Sequence, residues 1–300
     1  MRFMPLAAAV AAASLIVSCN QPETETRNEA TADTATWRPA PVEDAVEPSE
    51  TIEKAAASAW REVAPENLLL MELADGGRVA IELAPDFAPV HVANIRALAR
   101  AGWWNGAAIY RVQDNYVVQW GVNESDRPLP DGVVKAPPAE YHRALEGIAV
   151  RPIGYDPAGG RAWLAHCYGM VGVGRDLSPD TGTGGELYAV IGHAPRHLDR
   201  NIATVGRVLS GIEHMTSRPR GTEALGFYKE EAQHIPITRV ALAAYLPEGQ
   251  RPTYEVMRSD SEAFGAYVTG RANRGGDFFD VPAGRVDLCN APVPTRIKGG

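Results

Sequence analysis

The sequence predicts a β-rich body with few helices, preceded by a polar leader region. Three observations predict that class. Glycine and proline are abundant, 29 and 23 of 300 residues, so the chain turns often. The apolar runs are short, as in Leu68 to Leu73 and Val79 to Leu83, and Asp75-Gly76-Gly77 between them is a hairpin signal. Hydrophobic content is 45%, enough for one sizeable core with appendages. The formal net charge of −8 argues against nucleic acid as a partner. Much of that charge is local: between Asn20 and Glu50 eight carboxylates stand against two arginines.

The elements follow in order. Arg2 precedes an apolar, alanine-rich run from Phe3 to Val17, too short for a comfortable membrane span. It ends Ile16-Val17-Ser18-Cys19, which resembles the bacterial lipobox, an aliphatic and two small residues before a cysteine. Residues 1–19 are therefore expected to be a lipoprotein-type signal peptide, with Cys19 lipidated and anchoring the chain to a membrane. The alternative is an ordinary signal peptide with an incidental cysteine. Asn20, not aspartate, follows Cys19, which leans toward the outer rather than the inner membrane and places the body in the bacterial periplasm. Residues 20–48, rich in Thr, Glu, Ala and Pro, read as a disordered acidic tether.

Within 49–67, Ser49 is placed to cap a lead-in helix over Ile52 to Arg61. Strands are expected at 68–73 and 79–83. Pro89 suits a first helical position, and Val92, Ile95, Leu98 and Ala99 make one apolar face of a helix over 89–101. Gly102 can take a left-handed cap, and Asn105-Gly106 signals a turn. Strands near 107–112 and 116–120 follow. Residues 122–165 form a long polar insertion, with a short helix expected over Tyr141 to Leu145. Further strands are expected at 169–174, 186–191 and 203–208, with a helical turn after Ser210 and a last strand over Ile235 to Leu246. The extension 247–300 carries a helical patch near 260–270. Cys167 and Cys289 either form one disulfide or remain two buried thiols; sequence does not decide.

Arg111 lies inside an apolar, β-prone strand. A buried unpaired charge is expensive, so it is either ion-paired or aimed into a site. The surrounding motif, Ala88-Pro89-x-x-Val92-x-Asn94, then Trp104-Asn105-Gly106, Arg111-Val112, Tyr116 and Gln119, resembles the cyclophilin family of peptidyl-prolyl isomerases. A second, more diverged block supports the match: Gly169 to Gly174, the Gly-rich stretch Thr181 to Gly185, Leu187 to Val190, Leu198-Asp199 and Val205 to Ile212. The resemblance spans 68–246. It implies a closed antiparallel β-barrel of eight strands capped by helices, and isomerase activity on proline-containing polypeptides.

Rotation about a peptide bond meets a barrier of ~18–20 kcal/mol from amide resonance. Lowering it requires no metal, cofactor or nucleophile. It requires a donor that favours the twisted imide, a pocket for the proline ring and groups that hold the flanking backbone. The resemblance assigns Arg111 and Gln119 as catalytic, with Tyr116, Val117, Gly174, Tyr188, Leu198 and His197 binding substrate. There are departures. Tyr110 stands where active members usually carry histidine, and the pocket phenylalanines are matched by Tyr116 and Tyr188, so two hydroxyls must be accommodated. Gly185-Glu186-Leu187-Tyr188 stands where many members have Ser/Gln-Gln-Phe-Phe, His197 replaces a tryptophan, and Ile202 or a neighbour replaces a histidine or tyrosine. Weak or selective activity is expected.

Other motifs carry less. His193 and His197 sit four apart near Asp199, but Pro195 interrupts any helix that would align them as metal ligands. Gly172-Val173-Gly174 lacks the third glycine of a dinucleotide fingerprint, and Thr181 to Gly185, read as a mobile loop at the site's edge, lacks the lysine of a P-loop. The reading is an isomerase assisting the folding of exported proteins in the bacterial envelope. The rival is a binding or chaperone lipoprotein of the same fold with little or no turnover.

Overall fold

The computed structural model describes residues 46–122, 126–148, 153–275 and 278–298. The signal peptide, Cys19 and the tether up to residue 45 lie outside the described residues. In chain order the elements are α1 (Pro48–Lys54), β1 (Trp60–Glu62), β2 (Leu68–Leu73), β3 (Arg78–Leu83), α2 (Pro89–Arg100), β4 (Ala108–Val112) and β5 (Val117–Gly121). Next come β6 (Arg143–Ala144), β7 (Ile153–Asp156), β8 (Arg161–Leu164), β9 (Met170–Val173), β10 (Glu186–Val190) and β11 (Thr204–Ser210). Then follow α3 (Glu213–Thr216), β12 (Ile235–Leu242), β13 (Tyr254–Met257), α4 (Glu262–Ala272) and β14 (Thr295–Ile297).

Eight strands close into an antiparallel barrel in the order β10-β5-β4-β12-β2-β3-β11-β9. Side chains alternate across each strand, so one set fills the barrel and the other faces outward. Leu69 and Met71, Val79 and Ile81, Val118 and Trp120, and Leu187 and Ala189 share the interior core. Helix α2 joins that core through Val92, Ile95 and Leu98, the apolar stripe its sequence spaces. Gly102 and Gly106 take positive φ, +66° and +76°, ending the helix and turning the chain into β4.

Three segments depart from their sequence-based expectation. The lead-in helix stops at Lys54, and Ser49 lies within it instead of capping it: Glu47 holds the N-cap position and Pro48 follows. Trp60–Glu62 is a strand, because its pairing with β13 buries Trp60 in a second core. Tyr141 to Leu145 is no helix: Arg143–Ala144 pairs with β8 in the insertion's own sheet, of order β6-β8-β7. The last barrel strand ends at Leu242, and Ala243–Tyr245 makes a 3-10 turn.

The second core joins both ends of the described chain to one outer wall of the barrel. Ala59, Trp60 and Val63 from the lead-in and Tyr254, Val256, Phe264, Tyr267 and Val293 from the extension pack on Leu68 and Ala80, outward residues of β2 and β3. Strands β1, β13 and β14 form a three-stranded sheet there. The seam carries a charge cluster: the Glu82 carboxylate accepts from Arg61 at 2.6 Å and Arg207 at 3.2 Å. Cys167 and Cys289 are disulfide-bonded across 122 residues of chain. Among the described residues no helix is long and apolar enough to cross a membrane.

Candidate active site

The site forms on the outer face of β4, β5 and β10. Because Val118 and Trp120 point inward, Val117 and Gln119 point out; by the same parity Tyr188 points out between Leu187 and Ala189. Register places Gln119 opposite both Arg111 and Tyr188. An irregularity in β4 between Ile109 and Arg111 re-aims the arginine toward that face.

Arg111 is held at three nitrogens. Nη1 donates to Gln119 Oε1 at 2.8 Å, Nε to the Leu225 carbonyl at 2.7 Å, and Nη2 to Gln113 Oε1. Its guanidinium also lies over the Tyr116 ring at 5.8 Å and the Phe227 ring at 5.3 Å. Half-burial pulls its pKa below the ordinary arginine value, with Tyr116, Tyr110 and Tyr188 opposing; an arginine remains a cation at neutral pH. Of its five N–H groups, three serve these acceptors, and each terminal nitrogen keeps one more to offer.

The tyrosines that replace the expected aromatics each find a partner. Tyr110 O–H donates to Glu186. Burial, with the Glu186 carboxylate beside it, raises its pKa well above the usual tyrosine value, so it stays a neutral donor. Tyr116 stacks on His197 with ring centroids 5.6 Å apart, and its hydroxyl meets His197 Nε2 at 3.1 Å. Tyr188 is buried, 4% exposed, and its hydroxyl meets His166 Nε2 at 2.9 Å. Burial drives its pKa up as well. The ring sits against Gly172: a Cβ there would lie 2.2 Å from the hydroxyl oxygen.

Val117 and Tyr188 share an apolar cluster with Phe87, Leu164 and Met170, and Leu198, Tyr116 and Ile202 pack against it. Gly174 lies beside Gln119: a Cβ there would be 3.1 Å from Nε2. The structure thus gathers all eight residues expected from the sequence. Tyr188 contributes a buried floor, not an open wall.

One expectation changes. Thr181 to Gly185 is buried and tied down. Its carbonyls accept from His91 (3.2 Å, Thr181), Asn94 (2.9 Å, Thr183) and the indoles of Trp103 and Trp104 (3.1 and 2.9 Å, Gly185). Asp199 turns away from His193 and His197. Its Oδ1 accepts from His166 Nδ1 at 3.0 Å and the His166 backbone at 2.9 Å, and its Oδ2 from Arg196 at 2.9 Å. Burial would raise the Asp199 carboxyl, but these donors outweigh it and hold the pKa below the ordinary value. The described residues hold no cluster of three or more metal-binding side chains.

The insertion is tied to the start of α2 by Glu140, whose carboxylate accepts from the Val90 and His91 backbone and lies 2.7 Å from His91 Nδ1. Sequence reasoning missed His166, Gln113 and the Leu225 carbonyl. His166 alone had a signal, as a histidine beside a cysteine in an apolar stretch.

A closed barrel thus carries an outward arginine–glutamine pair beside a buried apolar cluster. The family model for cyclophilin type peptidyl-prolyl cis-trans isomerases matches residues 68–240. The probable peptidyl-prolyl cis-trans isomerase of Brucella suis biovar 1 (strain 1330) is 29% identical over 163 residues, covering 53% of this chain and 75% of that protein. Peptidyl-prolyl cis-trans isomerase B of Bacillus subtilis (strain 168) is 28% identical over 150 residues, 50% of this chain and 88% of that one. The crystal structure of cyclophilin AquaCyp293 from Hirschia baltica superposes with a TM-score of 0.60 at 25% identity, covering 79% of this chain and 93% of that chain. The chain belongs to the cyclophilin-type peptidyl-prolyl cis-trans isomerase family.

Proposed function

We propose that this domain isomerises X–Pro bonds in exported polypeptides, with Arg111 and Gln119 as its catalytic pair. One observation carries the reading: a guanidinium steered outward by Gln119, Gln113 and Leu225 beside the apolar cluster of Val117 and Tyr188, with an N–H remaining on each terminal nitrogen. As an X–Pro bond twists, the imide nitrogen becomes pyramidal and can accept a hydrogen bond. A donor fixed before that moment stabilises the twisted state without reorganising. Gln119 holds the guanidinium and Gly174 leaves its amide room. Val117, Leu198 and the Tyr188 ring grip the proline, and Tyr116 with His197 closes the rim.

The export setting is supported by the Ile16-Val17-Ser18-Cys19 leader, through which Cys19 would anchor the chain in the envelope. The Cys167–Cys289 disulfide fits an oxidising compartment such as the periplasm. The second reading, a binding module with little turnover, draws on Glu186 and Tyr110 at the rim, which replace neutral and imidazole groups with a carboxylate–phenol pair.

Protease-coupled isomerisation of a short Ala-Pro peptide, wild type beside Arg111→Ala, separates them. Catalysis should fall on the order of 10²-fold in the variant with the fold intact by circular dichroism. A folded wild type that binds the peptide without accelerating it establishes the second reading.

A further inference from the structure

We propose that His166 and Asp199 are positioning residues for the proline pocket: they clamp the Tyr188 hydroxyl and fix the pocket floor relative to the turn that carries His197 and Leu198. The inference rests on the isomerase reading above.

Tyr188 brings a hydroxyl into an apolar cluster, where a phenylalanine would need no partner. The hydroxyl meets His166 Nε2 at 2.9 Å, and the rings lie nearly parallel, 6.2 Å apart at 16°. His166 is itself buried, 1% exposed. Its Nδ1 faces the Asp199 carboxylate, which only accepts, so Nδ1 carries a proton and Nε2 is turned to the Tyr188 hydroxyl. The His166 backbone N–H donates to the same Asp199 oxygen, which fixes the ring's origin as well as its tilt. Asp199 directly follows His197 and Leu198 at the end of the 3-10 turn Ala194–Leu198. The carboxylate that orients His166 therefore belongs to the segment that makes the pocket wall. Floor and wall are joined by two hydrogen bonds in series, Tyr188 to His166 and His166 to Asp199.

The outer pocket repeats the arrangement. His197 Nδ1 donates to the Ala194 carbonyl at 2.7 Å, which leaves Nε2 to accept from Tyr116. Both pocket tyrosines are thus held by a histidine whose far nitrogen is committed. Pure fold support would need only apolar volume at 166 and 188. Two oriented rings and a carboxylate do something volume cannot, which is to set the angle of the floor.

The test is a double-mutant cycle on the whole protein, with Ala-Ala-Pro-Phe p-nitroanilide as substrate and KM and kcat measured separately. His166→Leu and Tyr188→Phe should each raise KM about three- to tenfold, as expected for one lost hydrogen bond, and leave kcat within about twofold, because Arg111 and Gln119 are untouched. The double variant should be no worse than either single, because the two side chains act as one unit. His166→Gln, which can still reach the hydroxyl, should recover most of the loss. Multiplying losses in the double variant, or a Tyr188→Phe protein with wild-type KM, overturns the proposal; the second result stands even if His166→Leu fails to fold. A wild type without turnover overturns the isomerase reading instead, and the same cycle scored as peptide Kd by NMR titration then decides the coupling.

Discussion

Gly172→Ala is the substitution whose consequence the structure states most directly. A Cβ at 172 would sit 2.2 Å from the Tyr188 hydroxyl oxygen and 2.3 Å from the ring carbon bearing it, where ordinary contacts begin at 3.4 Å. The ring must therefore retreat by more than 1 Å. Tyr188 is buried, so it retreats into packed neighbours, and its 2.9 Å hydrogen bond to His166 is lost. Overpacking costs about 1–3 kcal/mol. The lost hydrogen bond adds about 0.5–1.5 kcal/mol. Replacing glycine in an extended strand returns about 0.4–1 kcal/mol through the unfolded chain. The net expectation is a loss of about 0.5–4 kcal/mol, read by urea unfolding, with a fall in Tm of about 2–4 °C for each kcal/mol in a chain of this size. Peptide affinity should fall too, since the ring is the pocket floor. A Gly172→Ala protein within ~0.5 kcal/mol of wild type and with unchanged affinity would show that the ring does not pack on residue 172.

Three further outcomes are expected. Opening the Cys167–Cys289 bond by Cys289→Ser releases a loop closed across 122 residues. Chain entropy alone puts that at about 4.9 kcal/mol, and the second core, which still holds the extension, should reduce the measured loss to about 2–4 kcal/mol; an unchanged urea midpoint would refute it. The Asp199 carboxyl lies below its ordinary value of 3.8 in the folded protein, so its contribution is complete above that pH and is lost as pH falls through the folded value. The stability gap between wild type and Asp199→Asn should therefore be widest near neutrality and close below pH 3.8, and a gap that is constant down the acid limb of a pH series would contradict this. Glu82→Ala leaves Arg61 and the half-buried Arg207 facing each other without their shared carboxylate. Burial already pulls Arg207's pKa down, so unfolding by urea should show a loss of about 3–5 kcal/mol; one below ~1 kcal/mol would mean the cluster contributes little.

The barrel was legible wherever a strand is long enough to show its period. Leu68–Leu73 and Arg78–Leu83 stand out as apolar runs on either side of a glycine turn, and α2 shows three turns of apolar spacing. Strands β1 and β14, at three residues each, are too short to show any period, so the sheet that unites the chain's ends had no signature in the sequence. In the site, Arg111, Tyr116 and Gln119 were legible through the family resemblance, whose motif packs them within nine residues. His166 and Asp199 lie 33 residues apart and meet only through the fold. The Leu225 carbonyl is backbone and leaves no trace in residue type. The stretch Thr181 to Gly185 misled through composition. Its glycines suggest motion, but with little side chain of their own they let Trp103 and Trp104 approach the Gly185 carbonyl together.

The extension beyond the barrel gains a role from the two places where it packs. Around the ring of eight strands, β3 stands four places from β5, so the second core on β2 and β3 occupies the wall opposite the site strand. If the extension packed only there it could serve stability alone. Between α4 and β14, however, Leu288 and Cys289 pack against the cluster that contains Tyr188, Val117 and Leu164. The disulfide partner, Cys167, follows His166 directly, and Arg196, which donates to Asp199, also points Nη1 at the Cys289 sulfur across 3.8 Å. The same covalent link therefore closes the extension and fixes the residue next to the histidine that holds the pocket floor. Cutting it should loosen the far wall and the pocket together, whereas Glu82→Ala, at the opposite seam, should lower stability and leave peptide affinity where it was. The contrast between those two variants, read as stability against affinity, tests whether the extension supports the pocket from behind or only ties the chain's end to the barrel.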